Sequence, residues 1–156
     1  SNFSQGVSGG PRLSLGLRVA RTALDIVAEG GFGFYAPVQG VRSLDGVTVF
    51  RVELQGFSAA FGARYWIPFG VRTSFHLSIA GGAQRTSSTV YRLESPESKV
   101  EGASWGPVAR GAVGATFYLG PGRVMTQLEY TYAPAHGLVR GNVGGAGVAV
   151  GYLVNF

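Results

Sequence analysis

The C-terminal stretch GGAGVAVGYLVNF, residues 144–156, decides the class of fold. Its bulky apolar side chains occupy every second position: Val148, Val150, Tyr152, Val154 and Phe156. Small residues fill most of the positions between them. A period of two is typical of a β-strand with two different faces, and the glycines disfavour a helix. We therefore predict a strand with one bulky face and one small face.

The same alternation recurs in six other segments, and no helical period competes with it. They are RLSLGLRVA (12–20), IVAEGGFGFY (26–35), a long segment from about Val47 to Trp66, and segments that begin at Val71, Trp105 and Val124. Within the long segment, the bulky residues change from even to odd positions. This change of frame predicts a β-bulge near Gln55 and Gly56.

Composition narrows the environment of these strands. The 156 residues suffice for one domain with a sizeable core, yet only 13% of them are charged, about half of the usual share of roughly 25%. The net charge of +5 comes from scattered basic residues, so no basic patch predicts nucleic-acid binding. Cysteine is absent, which excludes disulfides and thiolate chemistry. No run of roughly 20 apolar residues predicts a transmembrane helix.

The two faces of the strands favour lipid as the outer solvent. A soluble barrel packs bulky apolar residues inward, but here the second face carries glycine, alanine, serine and single charges. A transmembrane barrel turns its bulky face to lipid and its polar face inward. Aromatic residues at the strand ends, Tyr35 and Trp66 among them, would form two interface belts. We expect an all-β fold, an antiparallel up-and-down transmembrane β-barrel formed by residues 1–156 as one domain; a soluble β-sandwich is the alternative.

The segments between the strands alternate in length. Three of the segments are short, namely RTALD, IPFG and LGPG. The three that alternate with them are long: APVQGVRSLDG, TVYRLESPESKVEGA and APAHGLVRG. Outer-membrane barrels have short periplasmic turns and longer outer loops, so the final strand is expected to run inward. The longest and most charged loop, from Thr89 to Ala103, is the expected contact site for an extracellular ligand or protein partner. A solvated hairpin without a partner is the alternative there.

Two stretches carry a resemblance to a known class of proteins. The terminal alternation up to Phe156 resembles the β-signal of bacterial outer-membrane barrels, and GARYWIPFG resembles strand ends of small OmpA-, OmpX- and OmpW-like barrels. The resemblance implies an eight-stranded barrel in the outer membrane, in contact with lipid and lipopolysaccharide and inserted by the barrel-insertion machinery. Such barrels have an even number of strands, but only seven strands are clear. We expect the eighth within residues 1–9, before the turn-like GGP, either as a partial strand or because upstream sequence has been removed.

The small face also holds most of the charges of the strands. The expected lumen charge network consists of Arg18, Glu29, Arg64, Arg72, His76, Arg110 and Glu129. Charges in a narrow lumen must be paired to avoid a large desolvation cost, so Glu29 and Glu129 should be ion-paired to arginines among Arg18, Arg64, Arg72 and Arg110. A network of this kind favours a lumen plugged by side chains, with an anion-favouring gate as the alternative.

One pair of residues raises the question of catalysis. His76 and Ser78 have the His-x-Ser spacing that resembles outer-membrane lipid A deacylases, but Ile79 replaces the asparagine that follows the serine there. Neighbours on one strand face are also about 7 Å apart, too far for direct proton transfer. We assign no catalytic residue, metal or cofactor, and expect a non-enzymatic structural or surface-interaction protein. The alternatives are a small-solute channel or transporter and, less favoured, a lipid-modifying enzyme.

Overall fold

The computed structural model describes residues 8–43, 47–92, 95–136 and 141–154, and these residues form strands joined by turns. The strands are β1 (Ser8–Gly9), β2 (Arg12–Arg18), β3 (Leu24–Ser43), β4 (Val47–Phe69), β5 (Thr73–Arg92), β6 (Ser95–Leu119), β7 (Gly122–Tyr132), β8 (Pro134–Ala135), β9 (Gly141–Asn142) and β10 (Ala146–Val154). The all-β prediction is confirmed. No helix long and apolar enough to cross a membrane occurs in the described ranges.

The main sheet is antiparallel, with β3, β4, β5, β6, β7 and β10 in this order and both β1 and β2 paired with β3. The strands β1 and β2 form one edge of the sheet in a single register, because Ser8 pairs with Tyr35 and Arg12 pairs with Gly31. The GGP stretch is therefore not a turn, and the prediction of an eighth strand that ends there is wrong for residues 8–9. Pro11 interrupts the strand only locally: it lacks an N–H, while its carbonyl still accepts a bond from the Phe32 amide at 3.1 Å. The described chain thus has seven strand positions.

The predicted bulge at Gln55 and Gly56 is wrong. The ladder between β4 and β5 runs without a break from Phe50↔Arg92 to Phe69↔Thr73. The register shift lies instead in β3, between Tyr35 and Val38. Strand β4 therefore keeps one frame, and the change in its pattern needs another cause.

That cause is an inversion of the two faces of β4 along its length. In the half nearer the short turns, the large apolar residues Phe57, Phe61 and Tyr65 point outward and are exposed. From residue 55 to residue 51, the outward positions are polar, whereas Val52 and Leu54 point inward and are buried against Tyr35, Val90 and Val143. One strand thus has an outward apolar part and a part patterned as in a water-soluble protein.

The sheet curves strongly toward its inner face. Strands β2 and β7 are separated by five ladder steps, which in a flat sheet would hold them roughly 24 Å apart. An ion pair nevertheless joins Arg12 on β2 to Glu129 on β7 at 2.6 Å. A second one joins Glu29 on β3 to Arg110 on β6, also at 2.6 Å. The concave side of the sheet, called the inner face below, therefore brings distant strands together.

The short connections are tight turns, whereas two predicted loops are largely strand. Gly70 and Gly120 open their turns with φ of 77° and 62°, a conformation that glycine adopts without steric cost. The segment predicted as a loop from Thr89 to Ala103 is instead a continuation of the β5–β6 ladder, in which Thr89 pairs with Glu101; residues 93–94 at its tip lie outside the described residues. Strand β3 extends in the same way into the predicted loop 36–46, where it pairs with the first residues of β4, from Val38↔Val52 to Ser43↔Val47; residues 44–46 at the tip lie outside the described residues. We call these extensions the upper hairpins.

Candidate functional site

The inner face of the sheet is polar near the middle of the strands, and Glu29 on β3 is its centre. One carboxylate oxygen of Glu29 accepts a bond from Nη1 of Arg110 at 2.6 Å, and the other lies 3.7 Å from Nη2 of Arg64. The three side chains are only 8%, 10% and 4% exposed, respectively. Arg110 also donates from Nε to the Thr131 hydroxyl at 3.3 Å. Glu29 therefore bridges two arginines from two different strands.

Glu129 on β7 is the second carboxylate of the inner face, and its partner is an arginine that the sequence analysis did not select. Both terminal nitrogens of Arg12 donate to Glu129, at 2.6 and 2.8 Å. This two-bond arrangement is the strong form of an arginine–carboxylate pair. Arg12 stands two residues before Ser14 on the small face of β2, so the same alternation that selected Arg18 could have found it. The pair links β2 to β7.

His76 is fully buried on the inner face, where it extends this network. Its Nε2 lies 3.2 Å from Oε1 of Gln127, and Nε2 of Gln127 donates to Glu129 at 2.9 Å. Since the Gln127 amide nitrogen is used by Glu129, its oxygen faces His76, and the imidazole donates from Nε2. Ser78 shares this face, and neither residue of the His-x-Ser pair points to the outer surface. The tautomer leaves Nδ1 of His76 as an acceptor, for which the described residues supply no hydrogen bond.

Two predicted members of the network lie elsewhere. Arg18 is half-exposed at the end of β2, where it contacts Asp25. Arg72 is exposed in the turn 70–72, so its prediction as a lumen residue is wrong. It precedes the first residue of β5, and the alternation of that strand does not extend to the turn. The charged side chains that converge at the middle of the inner face are thus Arg12, Glu29, Arg64, Arg110 and Glu129.

Two aromatic residues predicted for the interface belts also point inward. The indole of Trp66 is buried, donates to Asp25 at 2.6 Å and lies 5.2 Å from the ring of His76. The hydroxyl of Tyr35 accepts a bond from Gln84 at 3.0 Å. On its own strand, each of the two residues has the opposite parity to the residues that face outward. The polar atoms of both side chains have hydrogen-bond partners that lipid could not provide.

The residues predicted as an insertion signal lie on the outer face of β10. Val148, Val150, Tyr152 and Val154 are all exposed there, while the backbone of β10 pairs with β7. The Tyr152 hydroxyl donates to the carbonyl of Leu119 at 2.8 Å, which joins the strand to the neighbouring turn. Phe156 lies outside the described residues.

Charged residues on the upper hairpins form pairs within one strand. Lys99 contacts Glu101 at 2.8 Å, and Arg51 contacts Glu53 at 3.0 Å. All four side chains are open to solvent. The hydrogen bond to Glu101, together with the negative charge of its carboxylate, raises the pKa of Lys99. The described part of the hairpins therefore offers a polar, water-facing surface.

Neither a protein-family profile nor a curated protein sequence matches this chain. Among the described residues, no group of three or more histidine, aspartate or glutamate side chains is arranged to hold a metal ion.

Proposed function

We propose that this chain is an integral β-barrel of the bacterial outer membrane that presents its upper hairpins at the cell surface for contact with an extracellular ligand or protein. Its interior is filled by the charged network, and it acts without catalysis. The observation that carries the proposal is the inversion of the two faces along β4.

The outer face carries an apolar band that water would not tolerate. Each of the seven strand positions of the sheet exposes large apolar side chains. Leu15 is 67% exposed, Phe61 71% and Val150 73%. Soluble monomers rarely expose contiguous apolar patches of this extent, whereas the hydrocarbon of a bilayer accepts them. The polar inner face fits the same environment, and the antiparallel ladders pair the backbone groups of the strands between the two edges of the sheet, as lipid requires.

The band ends at one level on three neighbouring strands. Phe57 on β4 pairs with Arg85 on β5, and Arg85 pairs with Trp105 on β6. All three point outward, and beyond them the outward positions become polar, as at Gln55 and Ser87. An arginine between two aromatic rings is typical of a membrane–water interface, where each side chain has an apolar body and a polar tip.

The upper hairpins extend well beyond this level. From Gln55 back to Val47, β4 continues for roughly 27 Å along the strand, at about 3.4 Å per residue. The strands β4 and β6 have 23 and 25 residues, about twice the 9–11 residues that a tilted strand needs to cross a bilayer. A rigid, paired platform above the membrane suits recognition, because its position is fixed by the barrel beneath it.

The inner position of His76 and Ser78 favours a non-enzymatic role. An enzyme that acts on membrane lipid needs its nucleophile and base within reach of the lipid on the outer surface. His76 is instead buried and bonded to Gln127. The outward alternation of β10, together with its resemblance to a β-signal, supports insertion into the outer membrane by the barrel-insertion machinery, in contact with lipid and lipopolysaccharide.

Single cysteines test this proposal cleanly, because the natural sequence has none. Ser87→Cys lies outward above the band, and Leu77→Cys lies outward within it on the same strand. In intact cells, a membrane-impermeant maleimide should label Ser87→Cys and leave Leu77→Cys unlabelled. Denatured samples of both variants should be labelled equally, which controls for expression and intrinsic reactivity.

Equal labelling of the two variants in intact cells would contradict the band. Labelling of neither variant in intact cells, but of Ser87→Cys after the outer membrane is opened, would place the hairpins on the wrong side and remove the surface role. Isolation of the chain as a monodisperse β-rich protein in buffer without detergent would contradict the membrane proposal itself.

A further inference from the structure

The hairpin formed by β7 and β10 has a second part, which bends over the inner face. Strands β8 and β9 continue the register of β7 and β10, with Pro134 opposite Asn142. Between the two parts, the Val143 amide donates to the carbonyl of Ala133 at 2.9 Å. The side-chain oxygen of Asn142 accepts from the amides of Ala133 and Gly144, at 2.8 and 3.0 Å, and so holds the bend. The described residues beyond the bend, 133–135 and 141–143, are called the strap below.

The strap crosses the concave side of the sheet. Val143 packs against Val52 and Leu54, which point inward from β4 and are buried. In a flat sheet, β4 would lie three ladder steps from β7, roughly 14 Å away. Tyr35 from β3 and Val90 from β5 pack against the same two side chains. The strap therefore closes onto other strands at the end of the inner face nearer the upper hairpins.

Gly106 on β6 allows the backbone of the strap to lie directly on the sheet. This glycine stands on the inner face, two positions before the buried Val108. A Cβ atom at Gly106 would be 2.4 Å from the carbonyl oxygen of Pro134, which is closer than van der Waals contact allows. Glycine is the residue that permits such a close approach of another backbone. A side chain at position 106 would therefore push the strap away from β6.

An apolar layer lies between the strap end of the inner face and the charged network. The layer consists of the buried residues Ala60, Val108 and Ala133, with Val143 packed against them. Ala60 is the ladder partner of Glu29. Along β6, Val108 is the next inward residue before Arg110. The ion pair of Glu29 and Arg110 is thus covered from this end by side chains without polar atoms, two of which belong to the strap.

We propose that the strap is a built-in seal, which closes this end of the inner face and keeps water away from the pair of Glu29 and Arg110. Ion pairs by themselves offer hydrogen bonds to entering water, whereas an apolar layer offers none. The seal depends on the contacts of the strap with β4 and β6, so displacement of the strap opens a path to the network. This inference concerns the interior and is independent of any partner of the upper hairpins.

A single cysteine under the strap reports the state of the seal, because the natural chain has no thiol. Val108→Cys lies in the apolar layer and is smaller than the natural side chain. Ser87→Cys on the outer face serves as the exposed reference. Each variant is refolded in detergent, and its folded form is established by far-UV circular dichroism and gel mobility. Its reaction with a charged methanethiosulfonate reagent is followed over time by mass spectrometry.

In the otherwise natural chain, Val108→Cys should react at least about a hundredfold more slowly than Ser87→Cys, because its thiol is reached only when the strap opens locally. Adding Gly106→Ala should raise the rate at least about tenfold, since the new Cβ collides with the strap. Asn142→Ala removes the acceptor that holds the bend and should also raise the rate. Gly111→Ala on the same strand as Gly106 meets nothing within 4 Å and should leave the rate unchanged.

Reaction of Val108→Cys as fast as that of Ser87→Cys in the folded protein would overturn the seal. A rate that neither Gly106→Ala nor Asn142→Ala raises above that of Gly111→Ala would overturn it as well. Because Asn142→Ala adds no atoms, the test stays decisive even if Gly106→Ala fails to fold. The rates are measured in detergent, whereas the proposed function is tested by labelling in intact cells, so the two proposals fail separately.

Discussion

Replacement of Glu29 by glutamine should be among the most destabilising single changes on the inner face. The change removes the only carboxylate that, among the described residues, contacts both Arg64 and Arg110. All three side chains are at least nine-tenths buried, so neither arginine can be rescued by bulk water. Removing one partner of a buried ion pair typically costs 3–5 kcal/mol, and we expect a loss of about that size in the free energy of unfolding.

The measurement is equilibrium urea unfolding of the protein refolded into lipid vesicles, followed by tryptophan emission. Glu129→Gln is the first comparison: Arg12 is 27% exposed, so water can partly solvate it and the loss should be smaller. Glu53→Gln is the surface control, since its pair with Arg51 is half-exposed and such pairs contribute at most about 1 kcal/mol. The expected order of destabilisation is Glu29, then Glu129, then Glu53.

A Glu29→Gln variant as stable as Glu53→Gln would refute the reasoning, because it would mean that the inner face is wet and its charges are already solvated. A double-mutant cycle with Arg110→Met sharpens the result. If the pair is buried, removing both charges should cost clearly less than the sum of the single changes.

Three further predictions follow from the structure. Gly114→Ala should destabilise by about 1–3 kcal/mol, because a Cβ there would lie 2.5 Å from Cε1 of His76 and 2.3 Å from a backbone oxygen; Gly111→Ala on the same strand meets nothing within 4 Å and should be neutral in the same urea assay. In planar bilayers the refolded protein should give no sustained conductance, since the ion pairs cross the inner face; a stable open level would instead favour the channel alternative. Deletion of Phe156 should reduce outer-membrane assembly in cells more than stability in detergent, and equal assembly yields would remove its role as an insertion signal.

The period of two was sufficient to predict the strands, but not where their environment changes. Along β4 the even positions from Trp66 to Val52 stay inward, while the residue types on them change from Arg64 and Ala60 to Leu54 and Val52. If each face of a strand is assumed to meet one solvent along its whole length, such a change of residue type indicates a shift of frame. For this reason the sequence predicts a bulge that is absent from the structure. The same assumption leads to the prediction of loops where the structure has the charged upper hairpins.

The members of the charged network could be predicted from the sequence where they follow the alternation of bulky and small residues along a strand. Glu29, Arg64 and Arg110 stand on the small face, and the curvature of the sheet brings them together from three strands. The pairing of Arg12 with Glu129 was missed because it depends on which strands the curvature places opposite each other. Arg72 was misplaced because the sequence alone did not fix the residue at which β5 begins.

The unbroken ladder between β4 and β5 has a consequence for how this protein can diverge. Each hairpin tip can gain or lose residues in matched pairs, one on each strand, without altering the parity of any position nearer the short turns. A single inserted residue would exchange the two faces of everything beyond it, unless a local irregularity such as the one between Tyr35 and Val38 absorbs it. Natural variants should therefore differ in hairpin length mainly by even numbers of residues.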